Sequence, residues 1–267
     1  MRWCGISAIP AVCRAWTASG FRATAPSLLE RWGTFLFKYR DAVFPAVILA
    51  TIAATRPQFP SGSRTADLWL DLVGILVAAT GQALRITVIG YRYIARGGKN
   101  RRVHAEDLVT EGIFALARNP LYVGNILVLF GLFIIWNAPL LYLIGVPFTL
   151  IGYMGIVAAE EAFLRGKFGQ AYEEYCRTTN RWIPDFRKAR EALRDIPFNW
   201  RRVLLKDYGS WTAWIGTAGV MIIAESLFAA PYEQQAALIN AILGVLAVVF
   251  VAWAVTRWLK LNKRIRA

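Results

Sequence analysis

The residues best suited to chemistry in this chain are Arg118-Asn119-Pro120-Leu121-Tyr122-Val123-Gly124 and, about forty residues later, the adjacent carboxylates Glu160 and Glu161. The first group opens an apolar stretch and the second closes the next one. If these stretches form a membrane hairpin, a helix start, an arginine, a tyrosine and two carboxylates meet at one membrane face. Such a set would cradle a zwitterionic or cationic small molecule. The free N–H groups of a helix start and a fixed guanidinium suit an anion, and a carboxylate suits an amine or ribose hydroxyls.

Each part also has a plainer reading. Asn is a good N-cap and Pro suits the first helical position, so Asn119-Pro120 can simply start a helix. Glu160 and Glu161 can be a solvated pair beside Arg165. Neighbours on a helix point about 100° apart, so only one of the two faces a bundle interior easily. A carboxylate at a helix C-terminus also opposes the macrodipole, at a cost of roughly 0.3–1 kcal/mol. Beyond them, Phe163-Leu164, Phe168-Gly169, Tyr172 and Tyr175 read as an amphipathic interfacial helix broken at Gly169, or as aromatic faces closing over a cation. Arg181 precedes Pro184, which stops local helix. His104 reads as a loop histidine. Asp71 and Arg85 lie near opposite ends of one apolar span, each positioned to snorkel, although an intramembrane charge such as Arg85 also marks functional sites.

These residues need long apolar elements to position them, and the chain supplies them. Of 267 residues, 57% are hydrophobic, above the usual share for a soluble domain. The expected spans are Asp41 to Thr55 (interrupted by Pro45), Ala66 to Tyr91, Pro120 to Trp136, Leu140 to Ala159, Trp211 to Ala230 and Ala236 to Leu259. The first is short and can begin nearer Gly33. Asn137-Ala138-Pro139 turns the third span into the fourth. No sustained period-two alternation points to strands. The fold class expected is all-α, a polytopic membrane helix bundle of about six transmembrane helices with a cytoplasmic helical segment after the fourth. Residues 1–38 read as an N-terminal interfacial or disordered segment, 39–206 as the core and 207–267 as a C-terminal extension of two spans.

The 31 Lys and Arg against 17 Asp and Glu leave a net charge of +14. The basic residues cluster at the ends of apolar runs, which argues for membrane orientation and anionic-lipid contact rather than nucleic acid. The basic stretches after the second and fourth spans and at the C-terminus place both termini in the cytoplasm, with Arg56 and Arg64 as mild dissent. Cys4, Cys13 and Cys176 form no CxxC pair or disulfide framework. A single histidine excludes a His-rich metal site, and no metal is expected.

Leu108-Val109-Thr110-Glu111-Gly112-Ile113-Phe114, Arg118 to Gly124, Glu160-Glu161, Phe168-Gly169, Tyr172, Tyr175 and Arg181-x-x-Pro184 together resemble the isoprenylcysteine carboxyl methyltransferase and phospholipid methyltransferase superfamily. The resemblance spans about residues 68–186 and is dense from 108 to 184. It implies an integral membrane enzyme that uses S-adenosylmethionine, held at the cytoplasmic face by the hairpin and the polar segment after it. By resemblance the family's Arg-His-Pro motif falls on Arg118, Asn119 and Pro120, its Tyr and Gly on Tyr122 and Gly124, and its acidic pair on Glu160 and Glu161. Tyr172, Tyr175 and Arg181 fall in the cofactor-closing segment. Asn119 stands where the family usually has His, and Asn orients a ligand but cannot titrate. The implied substrate is a lipid or other lipophilic acceptor, an isoprenylcysteine-type carboxylate or a phospholipid amine. No catalytic residue, acceptor or oligomeric state is assigned. Two other classes share these features: an NADPH-dependent membrane sterol-type reductase, and a non-catalytic membrane protein that keeps the fold.

Overall fold

A computed structural model describes residues 26–91, 105, 107–194, 196–262 and 264, so His104, Cys4, Cys13 and the basic run 97–102 lie outside the described residues. The described residues form helices joined by turns, with no strand among them. The α-helices are α1 (Leu28–Ala53), α2 (Arg64–Tyr91), α3 (Pro120–Trp136), α4 (Pro139–Phe168), α5 (Gln170–Thr178), α6 (Ala189–Ala192), α7 (Trp200–Ala229) and α8 (Tyr232–Leu261). By length and composition α2, α4, α7 and α8 can each cross a membrane, and α3 is a shorter apolar helix. This is a polytopic helical membrane bundle.

The sequence explains most helix ends. A capping box starts α1 well before the expected span: the Glu30 amide donates to Ser27 Oγ at 3.2 Å, and the Ser27 amide donates to the Glu30 carboxylate at 2.9 Å. Pro45 lies inside α1 without ending it. Asn137, at φ 40°, caps α3 in the left-handed region. Its side chain donates to the Gln58 carbonyl and accepts from the Tyr142 hydroxyl at 3.2 Å, which holds the tight α3–α4 turn. Gly169, at φ 53°, separates α4 from α5. There only glycine is unstrained, which is why the helix breaks where the chain must fold back.

Small residues let the helices approach closely, the usual device where lipid removes the hydrophobic incentive to pair. A methyl group on Gly81 would lie 2.5 Å from the Gly124 carbonyl, so α2 and α3 touch backbone to backbone. The same holds for α1 and α4 at Gly33 and Gly155. A core of Leu132, Phe133, Ile135, Leu141, Met221 and Ile222 joins α3, α4 and α7. In contrast, α8 presents Val248, Phe250 and Val251 outward, as a lipid-facing helix would.

Two buried polar ties fasten α7 to α2, and neither residue of the α2 span snorkels as expected. Near the N-terminus of α2, Arg64 pairs with Asp67 and lies 3.7 Å from Asp71, and its guanidinium donates to Ser226 Oγ at 2.9 Å. Asp71 is buried here, and the carboxylates of Asp67, Asp71 and Glu225 lie within 4.8 Å of one another. Toward the other end, Arg85 pairs with Asp207 of α7. A charge inside a helix bundle finds a partner there more favourably than it stretches to the interface.

Candidate functional site

The hairpin of α3 and α4 and the polar segment after α4 meet at the end of the bundle where α3 begins. Backbone pairing sets this up: the Arg118 amide donates to the Asn180 carbonyl at 2.8 Å, and the Asp185 amide donates to the Leu116 carbonyl at 2.9 Å. Residues 116–118, just before α3, thus lie against residues 180–185. Asn119 does not cap α3 with its side chain, as a plain N-cap would. Its Nδ2 instead donates to the Arg181 carbonyl at 3.2 Å. Pro120 takes the first helical position and is buried.

Helix α4 does not stop at Glu160-Glu161 but runs to Phe168. The two carboxylates therefore sit about two turns inside the helix, and the cost expected for a carboxylate at a C-terminus does not apply. Both side chains are buried, against the expectation that only one would face inward. The reason is that each has its own cover. Glu160 points to α3, where the Tyr122 hydroxyl donates to Oε1 at 2.6 Å. Glu161 points to the polar segment, where Arg181 binds it through Nε at 3.0 Å and Nη2 at 2.6 Å. Arg118 and Arg165 add guanidinium nitrogens at 3.6 and 3.8 Å from the same carboxylate. A two-point Arg–carboxylate contact of this kind fixes orientation as well as charge.

Arg40 of α1 lies on the other side of Tyr122, with Nη1 3.5 Å from its hydroxyl. The locus thus holds Arg40, Arg118, Arg165 and Arg181 against Glu160 and Glu161. Asp41 and Glu173 pair with Arg40 and Arg165 at 3.8 and 2.9 Å, so the locus mixes guanidiniums and carboxylates, a donor set matched to a ligand with both an anionic and a cationic group.

Tyr172 and Tyr175 stand behind this cluster. Both are buried, in a patch with Ala105 and Leu164, and the Tyr175 hydroxyl donates to the Phe114 carbonyl at 2.7 Å. The Arg165 guanidinium lies 5.8 Å from the Tyr172 ring centre. Burial, with the negative charge of Glu161 next, holds the Tyr172 hydroxyl above the usual tyrosine range. The amphipathic helix α5 therefore packs its aromatic face into protein. A cleft of about 350 Å³ beside it is lined by Thr110, Ala115, Glu174, Tyr175 and Lys188.

The chain brings together Arg118, Asn119, Pro120, Tyr122, Glu160, Glu161 and Arg181, with Tyr172 and Tyr175 adjoining. It does not bring Gly124 among them. A methyl group there would meet Arg85 Cγ at 2.7 Å and the Gly81 carbonyl at 2.8 Å, so Gly124 serves the α2–α3 contact. Sequence reasoning missed Arg40 and Tyr153, whose ring packs 5.5 Å from that of Tyr122. The signal for Arg40 was a charge inside what is one continuous helix from Leu28.

Residues 70–171 match the family model for phospholipid methyltransferase. Protein-S-isoprenylcysteine O-methyltransferase B of Arabidopsis thaliana is 28% identical over 126 residues, covering 43% of this chain and 60% of the relative. A protein-S-isoprenylcysteine O-methyltransferase of Tribolium castaneum is 34% identical over 125 residues, 43% of this chain and 42% of the relative. A nickel-cobalt-cadmium resistance protein of Alcaligenes xylosoxydans xylosoxydans is 25% identical over 161 residues, 60% of this chain and 70% of the relative. The chain thus spans less than two thirds of the length of either methyltransferase. No solved structure matches it. The matched stretch runs from α2 to the start of α5 and leaves Tyr172, Tyr175, Arg181 and the α7–α8 hairpin beyond it. Over residues 70–171 the chain is thus similar to the phospholipid methyltransferase family, and over 125 to 129 residues to protein-S-isoprenylcysteine O-methyltransferases.

Proposed function

We propose that the chain is a membrane-embedded methyltransferase that uses S-adenosylmethionine and acts on a lipophilic acceptor at the cytoplasmic face. The observation that carries this reading is the convergence of Arg118, Glu160, Glu161 and Arg181 from three separate segments onto one locus. The donor set fits the cofactor. Arg118 and Arg181 would hold its carboxylate, Glu161 its amine or ribose hydroxyls, and a tyrosine face such as that of Tyr122 suits a sulfonium. The clustering of Lys and Arg around the polar segments supports the cytoplasmic face.

When bound, the cofactor supplies a methyl group already activated by positive sulfur, so the protein's main task is alignment. Arg118 and Arg181 orient, and Asn119 ties the helix start to the Arg181 backbone. Asn119 shuttles no proton. The Tyr122–Glu160 pair is the proton-handling element. A protonated amine acceptor would give up its proton toward Glu160 through Tyr122, whereas a carboxylate acceptor needs no base. The site lies at the end of apolar helices, within reach of a soluble cofactor on one side and a lipid on the other.

Purified protein in nanodiscs, incubated with methyl-labelled S-adenosylmethionine and total membrane lipid extract, tests this. Transfer of label to a lipid supports the reading, and a labelled phospholipid selects the amine chemistry over the prenylcysteine one. Absence of label from every fraction, with NADPH consumed in a parallel assay, favours the reductase. A second reading rests on the 161-residue similarity to a nickel-cobalt-cadmium resistance protein. It assigns a role in metal tolerance, and a deletion strain whose growth on nickel, cobalt and cadmium is unaltered would remove it.

A further inference from the structure

The C-terminal hairpin lies beyond the matched family stretch, yet it reaches toward the site through a buried polar ladder. Asp207 of α7 is fully buried and pairs with Arg85 of α2. Its other oxygen accepts from Gln82 and from Trp211 Nε1, the latter at 2.9 Å. Arg85 in turn donates to Asn125 Oδ1 of α3. Asn125 lies three residues after Tyr122, on the same face of α3. The Tyr153 ring packs on Tyr122, whose hydroxyl holds Glu160. The Arg85 stem packs on Gly124, where an added methyl group would meet its Cγ at 2.7 Å.

Resting on the methyltransferase reading above, we infer that Asp207 is a positioning residue, which acts through Arg85 and Asn125 to orient the Tyr122–Glu160 side of the site. Asp207 cancels the Arg85 charge and fixes its fork, so that one guanidinium edge is always presented to Asn125. Without it Arg85 is a buried cation free to turn toward Glu160 or the interface. The cofactor's charged groups are assigned to Arg118, Glu161 and Arg181, and among the described residues the ion pairs these make do not include Arg85 or Asp207. The acceptor side should therefore suffer while cofactor binding does not.

The test compares wild type, Asp207→Asn and the apolar double variant Arg85→Met with Asp207→Leu, all as full chains in nanodiscs. Replacing both members of a buried ion pair by apolar side chains typically preserves stability, so the double variant separates folding from positioning. In Asp207→Asn, turnover with labelled S-adenosylmethionine and lipid extract should fall about tenfold or more, as expected for a slightly misplaced reacting group. Cofactor Kd should stay within about twofold of wild type. The double variant should fold, melting somewhat below wild type because Gln82 and Trp211 lose their acceptor, and still turn over slowly. Amide exchange of residues 120–127 should rise in both variants, with 170–181 unchanged. Wild-type turnover in the double variant, or unchanged exchange at 120–127, overturns the inference. Absence of turnover in wild type instead refutes the methyltransferase reading, and the exchange measurement still decides the role of Asp207.

Discussion

Replacing Glu161 by Gln keeps the shape of the side chain and removes the charge on which three guanidiniums converge. Arg181 makes two bonds to it, and Arg118 and Arg165 stand at 3.6 and 3.8 Å. Truncating one member of a buried charge cluster costs about 3–5 kcal/mol when the remaining charges stay buried. Here that figure needs a discount. The Arg181 and Arg165 side chains are 36% and 40% exposed and can turn to water, whereas Arg118, at 12%, cannot. A loss of about 2–3 kcal/mol follows, which for a chain of this size lowers the melting midpoint by about 4–12 °C. Thermal unfolding in detergent followed by tryptophan fluorescence measures it. Glu173→Gln is the control, because Glu173 is half exposed and among the described residues pairs with Arg165 alone, and such a pair is worth less than about 1 kcal/mol. If Glu161→Gln melts within about 1 °C of wild type, or no lower than Glu173→Gln, the carboxylate does not organise the three arginines and the site as described is wrong.

Three further outcomes follow from the same structure. Gly81→Val forces a side chain against the Gly124 carbonyl, so it should separate α2 from α3 and greatly reduce the yield of folded protein by size-exclusion chromatography. Near the opposite end of α2, Arg64→Ala leaves Asp67, Asp71 and Glu225 without their guanidinium and should cost about 3–5 kcal/mol in thermal stability, with cofactor affinity unaltered. The raised Tyr172 hydroxyl keeps its proton where an unfolded tyrosine ionises. Below about pH 10 it is neutral in both states and contributes no slope. Above that, the unfolded chain loses the proton first, so stability falls as pH rises. Tyr172→Phe should show a shallower decline in melting midpoint between about pH 10 and 11.

The apolar spans were legible because hydropathy and length report directly on burial in lipid. The expected start of α3 at Pro120 coincides with the observed one, since Asn-Pro followed by an apolar run leaves little alternative. The extent of α4 was not legible. Glu160-Glu161 looked like the edge of a span because hydropathy reads polarity, while the helix continues on partners that arrive from residues 118 and 181. The same blindness to partners made Arg85 and Asp71 look like snorkelling residues. Only the packing of α7 against α2 supplies Asp207 to one and brings Glu225 to the other. The start of α1 was hidden for a different reason: Ser27 and Glu30 form a capping box within a charged stretch that hydropathy discards. Gly124, two residues after Tyr122 in the motif, lies in the close contact between α2 and α3, which a motif read along the sequence does not reveal.

The central claim is that Arg118, Glu161 and Arg181 together hold S-adenosylmethionine. Isothermal titration of the cofactor into wild type, Glu161→Gln and Arg118→Ala tests it most directly, with NADPH titrated in parallel. The account predicts saturable binding of S-adenosylmethionine to wild type, a loss of tenfold or more in each variant that remains folded (about 1.4 kcal/mol or more), and no binding of NADPH. Failure of wild type to bind S-adenosylmethionine, or unchanged affinity in both folded variants, would contradict it.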